Sequence, residues 1–306
     1  MIAGIETGGT KVICAVADPR DPGTLVDRVR IDTTSPARTL ADIRNFLAPY
    51  AATGRFDAVG IASFGPVEVD SASPRYGWIT STPKPGWRNT DLVSGLGLAE
   101  GTPVRLVTDV TGAALGEHRF GAGRGVDDIA YVTVGTGIGA GIVVNGAPFT
   151  LRSHPELGHL VIRRHPHDSF AGVCPFHGDC LEGLASGPSV EARWGRLGTD
   201  LGPLLGGAVE LSAYYIAQLL ATVTYAAAPQ RIVVGGGVLK TPGLLDAVRR
   251  QLALLVGGAL AGHPLMDTDS GYVVRPELGD ESVLRVALSL ARDASPLGVA
   301  VAATAG

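Results

Sequence analysis

The 306-residue chain predicts an α/β protein made of two like halves with a cleft between them. Apolar, β-branched runs of strand length alternate with runs of helical period. A pair of strands joined by a glycine-rich turn occurs twice, near residue 2 and again near residue 129. Length agrees, since roughly 100 to 200 residues make one domain. The expected boundaries are 1–115 plus a C-terminal segment of about 282–306 for a small α/β domain, and 116–281 for a larger one.

In order, "IAGIET" and "KVICAVAD" read as antiparallel strands around "GGT", and "LVDRVRIDT" as a third strand. "SPARTLADIRNFLAPYA" has Ser35 as helix N-cap, Pro36 at the first helical position, and Leu40, Ile43, Phe46 and Leu47 at helical spacing. "FDAVGIASF" and "VRLVT" are strands, and "VTGAALGEHRF" is a helix. "DIAYVTV" and "GAGIVVNG" then repeat the hairpin around "GTGI". A long apolar helix at about 210–228 leads into the strand "RIVVGGGVL", with further helices at about 241–257 and 281–293.

Composition narrows the function. The apolar share of 45% with 18% charged residues suits a soluble globular protein. Lys and Arg total 25 against 29 acids, a net charge of -4, and no basic block marks a nucleic-acid footprint. No segment is expected to span a membrane; the most apolar run, from Ala213, falls short of the roughly 20 residues needed. The N-terminus lacks the pattern of a signal peptide. Three cysteines, with Cys14 alone in an apolar run, fit a reducing compartment better than a disulfide framework. A cytoplasmic protein without nucleic-acid or membrane partners is expected.

Three glycine runs stand out among 43 glycines: "TGGTK", "GTGIG" and "GGG" at 235–237. Glycine lets backbone amides crowd around a phosphate, and a Thr hydroxyl or Lys ammonium can add donors. Hairpin turns also favour glycine for their own geometry. There is no GxxxxGK[ST], and strands rather than helices follow "TGGTK" and "GTGIG", which excludes a P-loop and a dinucleotide fingerprint. What remains is a phosphate clamp made of two β-hairpins.

Asp109 stands where the strand "VRLVT" ends and a helix begins. It either caps that helix or serves as a general base at the carboxyl end of a strand, where ligands bind in α/β sheets. Phosphoryl transfer needs positioning, a metal and an acid to accept the hydroxyl proton.

Two of the three cysteines lie in "CPFHGDC", and five of the seven histidines fall between 154 and 177. Cys174, His177 and Cys180 give three zinc ligands at compact spacing, and His159 is the fourth by preference over His165 and His167. Four Cys/His ligands leave no open position, which is the structural pattern. A metal on one nitrogen of His159 fixes the direction of the other. With Glu156 and Glu182 beside it, that edge suits a polyhydroxy ligand.

Together, "GIETGGTK", "TDVTGAALGE", "VTVGTGIGAGIVVNG", "PELGHL", "CPFHGDCLEGLASGP" and "IVVGGGVL" resemble the ROK family of repressors and sugar kinases over essentially the whole chain. The zinc loop and "YGWITSTPKPGWRNTD" are similar to the family's fructokinase branch. The resemblance implies an actin-like, ribonuclease-H-like fold with a central cleft, ATP with magnesium, a structural zinc, a homodimer, and phosphorylation of D-fructose to fructose 6-phosphate. It implies Asp109 as the base, and Thr108, Asp109, Glu156, His159 and Glu182 at the sugar. Zinc would sit on His159, Cys174, His177 and Cys180. Gly8, Gly9, Thr10 and Lys11, with Gly135, Thr136 and Gly137, would approach the phosphates. Pro188, Gly235, Gly236, Gly237 and Val238 would border the nucleotide. Many family kinases have Asn where this chain has Thr108, which fits a furanose or a mannose-like ligand.

Broader hexokinase activity on mannose or glucose, and a sugar-sensing protein without catalysis, are the alternatives. A family repressor carries an added N-terminal helix-turn-helix, for which a first strand at residue 2 leaves no room. "STPKPGW" fits a sugar pocket, a lid or a dimer contact, and Trp87 fits packing or sugar stacking equally.

Overall fold

A computed structural model describes residues 1–52, 54, 56–149, 155–196, 200–267, 270–279 and 282–299. His154 and the last seven residues of the expected small domain, 300–306, lie outside the described residues. The chain forms two compact units. The first comprises Met1–Gly116 and the stretch from Leu278; the second comprises Glu117–Phe149 and Pro155–Glu277.

In the first unit, β1 (Ile2–Thr7), β2 (Lys11–Asp18) and β3 (Asp21–Asp32) form an antiparallel meander. β4 (Ala58–Ser63) and β7 (Val104–Thr108) add in parallel, giving the order β3-β2-β1-β4-β7. Short strands β5 (Trp78–Ile79) and β6 (Thr90–Asp91) pair with each other before α2 (Leu92–Gly95). Every residue of β4 is buried, as expected for a parallel strand covered on both faces. Helix α1 (Pro36–Ala51) covers one face through Leu40, Ile43 and Leu47. Helix α8 (Ser282–Ala294) covers the other through Leu284, Leu288 and Ala291. Gly4 and Gly60 are cross-strand partners. A Cβ on Gly60 would lie 1.8 Å from the Ala287 carbonyl oxygen, so the missing side chain sets how closely α8 can lie.

The second unit repeats this plan. β8 (Ile129–Val134), β9 (Ile138–Val144) and β10 (Ala147–Pro148) are antiparallel, and β11 (Arg231–Gly235) and β12 (Val273–Val274) add in parallel. The order β10-β9-β8-β11-β12 has the same neighbours and polarity as the first sheet. Helix α3 (Asp109–Phe120) follows β7; α4 (Leu181–Ala185), α5 (Gly187–Trp194), α6 (Leu205–Ala227) and α7 (Leu244–Val256) complete the helices.

Four local expectations are revised. Ser35 takes the N-cap position of α1, but its hydroxyl caps nothing. Instead the Thr39 hydroxyl reaches back to accept from the Thr34 amide at 3.0 Å, closing the turn from inside the helix. The strand read as "RIVVGGGVL" stops at Gly235, because Gly236 turns to φ +97° and Gly237–Lys240 forms a 3-10 turn. The next helix starts at Leu244, after Gly243 at φ +77°. Finally, Gly202–Ala227 is long and apolar enough to cross a membrane by length and composition. The run from Ala213 missed it because the helix begins eight residues earlier, at Leu205. Half of its most apolar window is buried, and Ala213, Tyr215, Ile216, Leu219 and Leu220 belong to the core of the second unit.

Candidate active site and metal centre

The cysteine loop folds back on itself. The Cys174 amide donates to the Gly178 carbonyl at 3.1 Å, and the Gly178 amide returns a bond of 2.9 Å to Cys174. Gly178 sits at φ +70°, a left-handed conformation that favours glycine. Helix α4 starts directly after Cys180, and the Leu181 amide donates to the Leu160 carbonyl at 3.0 Å. That bond joins the loop to the 3-10 turn Leu157–His159.

Four ligand atoms converge there. Those of His159, Cys174, His177 and Cys180 all lie within 4.8 Å of one another. His159 Nδ1 is 3.7 Å from Cys174 Sγ and 3.5 Å from Cys180 Sγ, and His177 Nδ1 is 3.8 Å from Cys174 Sγ. For Zn–S and Zn–N bonds of about 2.3 and 2.05 Å, a tetrahedron has an N···S edge of about 3.6 Å. The donor set and spacing fit a tetrahedral metal ion. Burial pushes the Cys180 thiol up to about 11, with the neighbouring Cys174 sulfur adding to the rise; a bound cation would reverse that preference. His165 and His167 lie elsewhere, with His165 packed edge-on against Tyr214.

Glu182, in the first turn of α4, connects this centre to the second hairpin. Its Oε2 accepts the Ile138 amide at 2.8 Å. A Cβ on Gly137 would lie 2.9 Å from the same oxygen, and one on Gly158 would lie 3.3 Å from it. Two glycines thus make room for the carboxylate. Glu156 is exposed as a residue, yet its carboxyl is shielded, and burial, followed by the charge of Glu182, raises its pKa. Because His159 turns Nδ1 toward the sulfurs, its Nε2 faces away from them.

The expected nucleotide loops of the second unit also meet. The Gly187 amide donates to the Gly135 carbonyl at 2.7 Å, and the Gly135 amide donates to Gly137 at 2.9 Å. A Cβ on Gly187 would lie 3.9 Å from the Val238 side chain, and one on Gly135 would lie 3.8 Å from the Gly237 amide. Pro188 stands in the first turn of α5, whose N-cap Ser186 accepts from the Ser189 amide. Thr136 occupies the turn between β8 and β9. The 135–137 turn, the start of α5 and the glycine run after β11 therefore form one surface.

In the first unit, the Gly8 amide donates to the Lys11 carbonyl at 2.8 Å, closing a turn whose central residues, Gly9 and Thr10, are exposed. Gly9 has no left-handed φ, and a Cβ there would meet nothing within 4 Å. The turn's own geometry does not require glycine at that position. Gly237 stands in equally open space, whereas Gly236 is required, since its Cβ would lie 2.3 Å from the Val134 carbonyl oxygen.

At the start of α3 the roles of two neighbours separate. The Thr108 hydroxyl accepts from the Thr111 amide at 3.1 Å and donates to Thr111 Oγ1 at 2.8 Å. Thr108, which is 2% exposed, therefore caps the helix. Asp109 accepts from its own neighbour, the Val110 amide, at 2.8 Å, so the capping alternative for Asp109 passes to Thr108. Trp87 is fully buried and donates through Nε1 to the Thr34 carbonyl, which makes it a packing anchor.

Sequence reasoning missed Thr33 and Lys84, which hold the first turn from outside it, and the Ile138 amide that orients Glu182. The rarity of lysine, with Lys84 inside "STPKPGW", was the available signal.

Residues 2–294 match the ROK family. A fructokinase from Zymomonas mobilis subsp. mobilis is 43% identical over 293 residues, covering 94% of this chain and 95% of that protein. A fructokinase from Pediococcus pentosaceus is 39% identical over 294 residues, covering 96% and 98%. The crystal structure of a ROK family glucokinase from Streptomyces griseus, in complex with glucose and AMPPNP, is 27% identical with a TM-score of 0.70, covering 95% of this chain and 99% of that one. The duplicated α/β plan is thus the actin-like fold of these sugar kinases, and by sequence and by fold the chain belongs to the ROK family.

Proposed function

We propose that the protein is a fructokinase that transfers the γ-phosphoryl group of ATP, supplied as its magnesium complex, to the 6-hydroxyl of D-fructose. The observation that carries the reading is the convergence of four Cys/His ligand atoms beside Glu182, a combination suited to holding a sugar with a metal-oriented imidazole. Relatives that are 39% and 43% identical and named fructokinase support it.

In this reading Asp109 accepts the proton of the sugar's O6 as that oxygen bonds to the γ-phosphorus and the bond to the β-γ bridging oxygen breaks, releasing ADP. Thr108 contributes by capping α3 and so setting the position of Asp109. Glu156, His159 Nε2 and Glu182 hold the remaining hydroxyls. His159, Cys174, His177 and Cys180 would hold zinc, which supplies rigidity and direction at the pocket edge and, with four protein ligands, no site for an activated water. Gly8 to Lys11, Gly135 to Gly137, Pro188 and Gly235 to Val238 receive the nucleotide. We place the enzyme in the cytoplasm as a homodimer, with a small domain of 1–115 and about 282–306 and a large one of 116–281.

The test is ADP release from magnesium-ATP with fructose, mannose, glucose or no sugar. Preference for fructose is expected; equal rates on glucose and mannose would make the enzyme a general hexokinase, and silence on all sugars would favour a sensor. Asp109→Ala should lower kcat by about 10³-fold, the range of general base catalysis, with melting temperature and zinc content unchanged. Near-normal turnover would remove Asp109 from the mechanism. Chelating the zinc should weaken fructose binding more than nucleotide binding; equal loss of both would reduce the metal to a fold support.

A further inference from the structure

The turn between β1 and β2 has its three carbonyls tied back. Gly8 O accepts the Thr33 hydroxyl at 2.7 Å, Thr10 O accepts the Thr33 amide at 3.0 Å, and Gly9 O accepts Lys84 Nζ. Lys84 Nζ also lies 3.4 Å from the Thr33 carbonyl oxygen, so its ammonium joins the turn to the strand end that braces it. Among the described residues the amides of Gly9 and Thr10 find no hydrogen-bond partner, and both residues are exposed. With the carbonyls held on one side, two backbone donors are left for a ligand, and the open space at Gly9 lets an anion approach them.

Lys84 is well placed for this. The Trp87 amide donates to the Lys84 carbonyl at 3.2 Å, and the Lys84 amide donates to Thr82 Oγ1 at 3.3 Å, which makes residues 82–87 a tight turn. Trp87 pins that turn in the core, edge-on to Phe64 at 5.3 Å and bonded to Thr34, the residue after Thr33. The segment straps across the first hairpin from outside, and its lysine reaches the one carbonyl that Thr33 leaves open. A lone structural tether would need no charge. The Lys84 ammonium brings a positive charge to the turn, which favours phosphate.

We propose that Lys84 is a positioning residue for the nucleotide's terminal phosphates: it holds the Gly9 carbonyl back so that the Gly9 and Thr10 amides meet the phosphate, and it adds positive charge beside them. This rests on the kinase reading only for its assignment of the turn to ATP. It also gives "STPKPGW" a role, as a strap over the phosphate turn.

The test compares Lys84→Met and Lys84→Arg with the wild type by titration calorimetry against ATP, ADP and AMP, and by KM for magnesium-ATP and for fructose. Lys84→Met should weaken ATP and ADP about tenfold, the size of one charge-assisted hydrogen bond, while AMP binding and the KM for fructose stay within about twofold. Lys84→Arg should recover most of the loss. Unchanged ATP affinity in Lys84→Met overturns the proposal. So does a loss that AMP shares equally and Arg does not recover, which is the mark of a general structural role. If the wild type phosphorylates no sugar, the kinase reading fails while the three nucleotides still decide Lys84; a wild type that binds none of them overturns both.

Discussion

The two glycine turns occupy the same place in two sheets of identical strand order and polarity, yet they are held by different kinds of contact. The turn at Gly9 is fastened by side chains from outside its hairpin, Thr33 and Lys84, and keeps two amides open. The turn at Gly135 is fastened by backbone, through the Gly187 amide; among the described residues its own Thr136 and Gly137 amides also have no partner, and the Ile138 amide just after the turn is occupied by Glu182. Duplication kept the topology, which depends on strand pairing and buried faces. It did not keep the fastening, which depends on what each turn must meet. Both turns offer backbone donors to an anion, and the second is joined in addition to a carboxylate that we assign to the sugar.

The sharpest way to break this comparison is Glu182→Ala. If the second turn is tied to the sugar site, the loss should reach both substrates: fructose kcat/KM should fall about a hundredfold, as for a lost hydrogen bond to a charged group, and the KM for ATP should rise as well. Glu182→Gln keeps an acceptor for the Ile138 amide and should restore the ATP KM without restoring fructose. A purely sugar-side defect in Glu182→Ala would mean that the carboxylate does not orient the turn.

The next test sets two glycines against each other. Gly236→Ala forces a left-handed residue against the Val134 carbonyl and should cost about 1 to 3 kcal/mol of stability for the backbone alone. Gly9→Ala meets open space and should leave stability within about 0.5 kcal/mol while raising the KM for ATP about tenfold, as amide contacts to phosphate lengthen. Thermal melts and steady-state kinetics on both variants check the pair. A destabilised Gly9→Ala would show that the turn, not a ligand, needs that glycine.

How much of this was legible depends on sequence separation. The hairpins, the helix of Leu40, Ile43 and Leu47, and the grouping of Cys174, His177 and Cys180 follow from periodicity or from ligands a few residues apart, and the structure places them as read. The end of β11 was not legible, because a strand and a glycine turn after it share the same apolar composition until Gly236 reverses its φ. The cap of α3 was left open between two readings of Asp109, since Thr and Asp both cap helices and only geometry tells that the Thr108 oxygen reaches the Thr111 amide. Lys84 was hidden further: its carbonyl partner lies 75 residues away, and neither propensity nor spacing points across that distance.

The smallest predicted effect also tests the comparison most directly. Thr33→Val removes the hydroxyl that holds Gly8 O but keeps the side-chain volume and the backbone bond to Thr10 O. The KM for ATP should rise about threefold, in keeping with one neutral hydrogen bond, and Thr33→Ser should behave as wild type. The second turn offers no equivalent handle, because Gly135 O is held by a main-chain amide that an ordinary side-chain substitution leaves in place. If Thr33→Val leaves the ATP KM unchanged, the first turn is rigid through its own backbone, and the contrast between the two fastenings loses its functional meaning. If the rise appears, nucleotide affinity is adjustable from the residue just after β3 in the first unit by side chains that touch no ligand, while the second turn stays fixed by the chain itself.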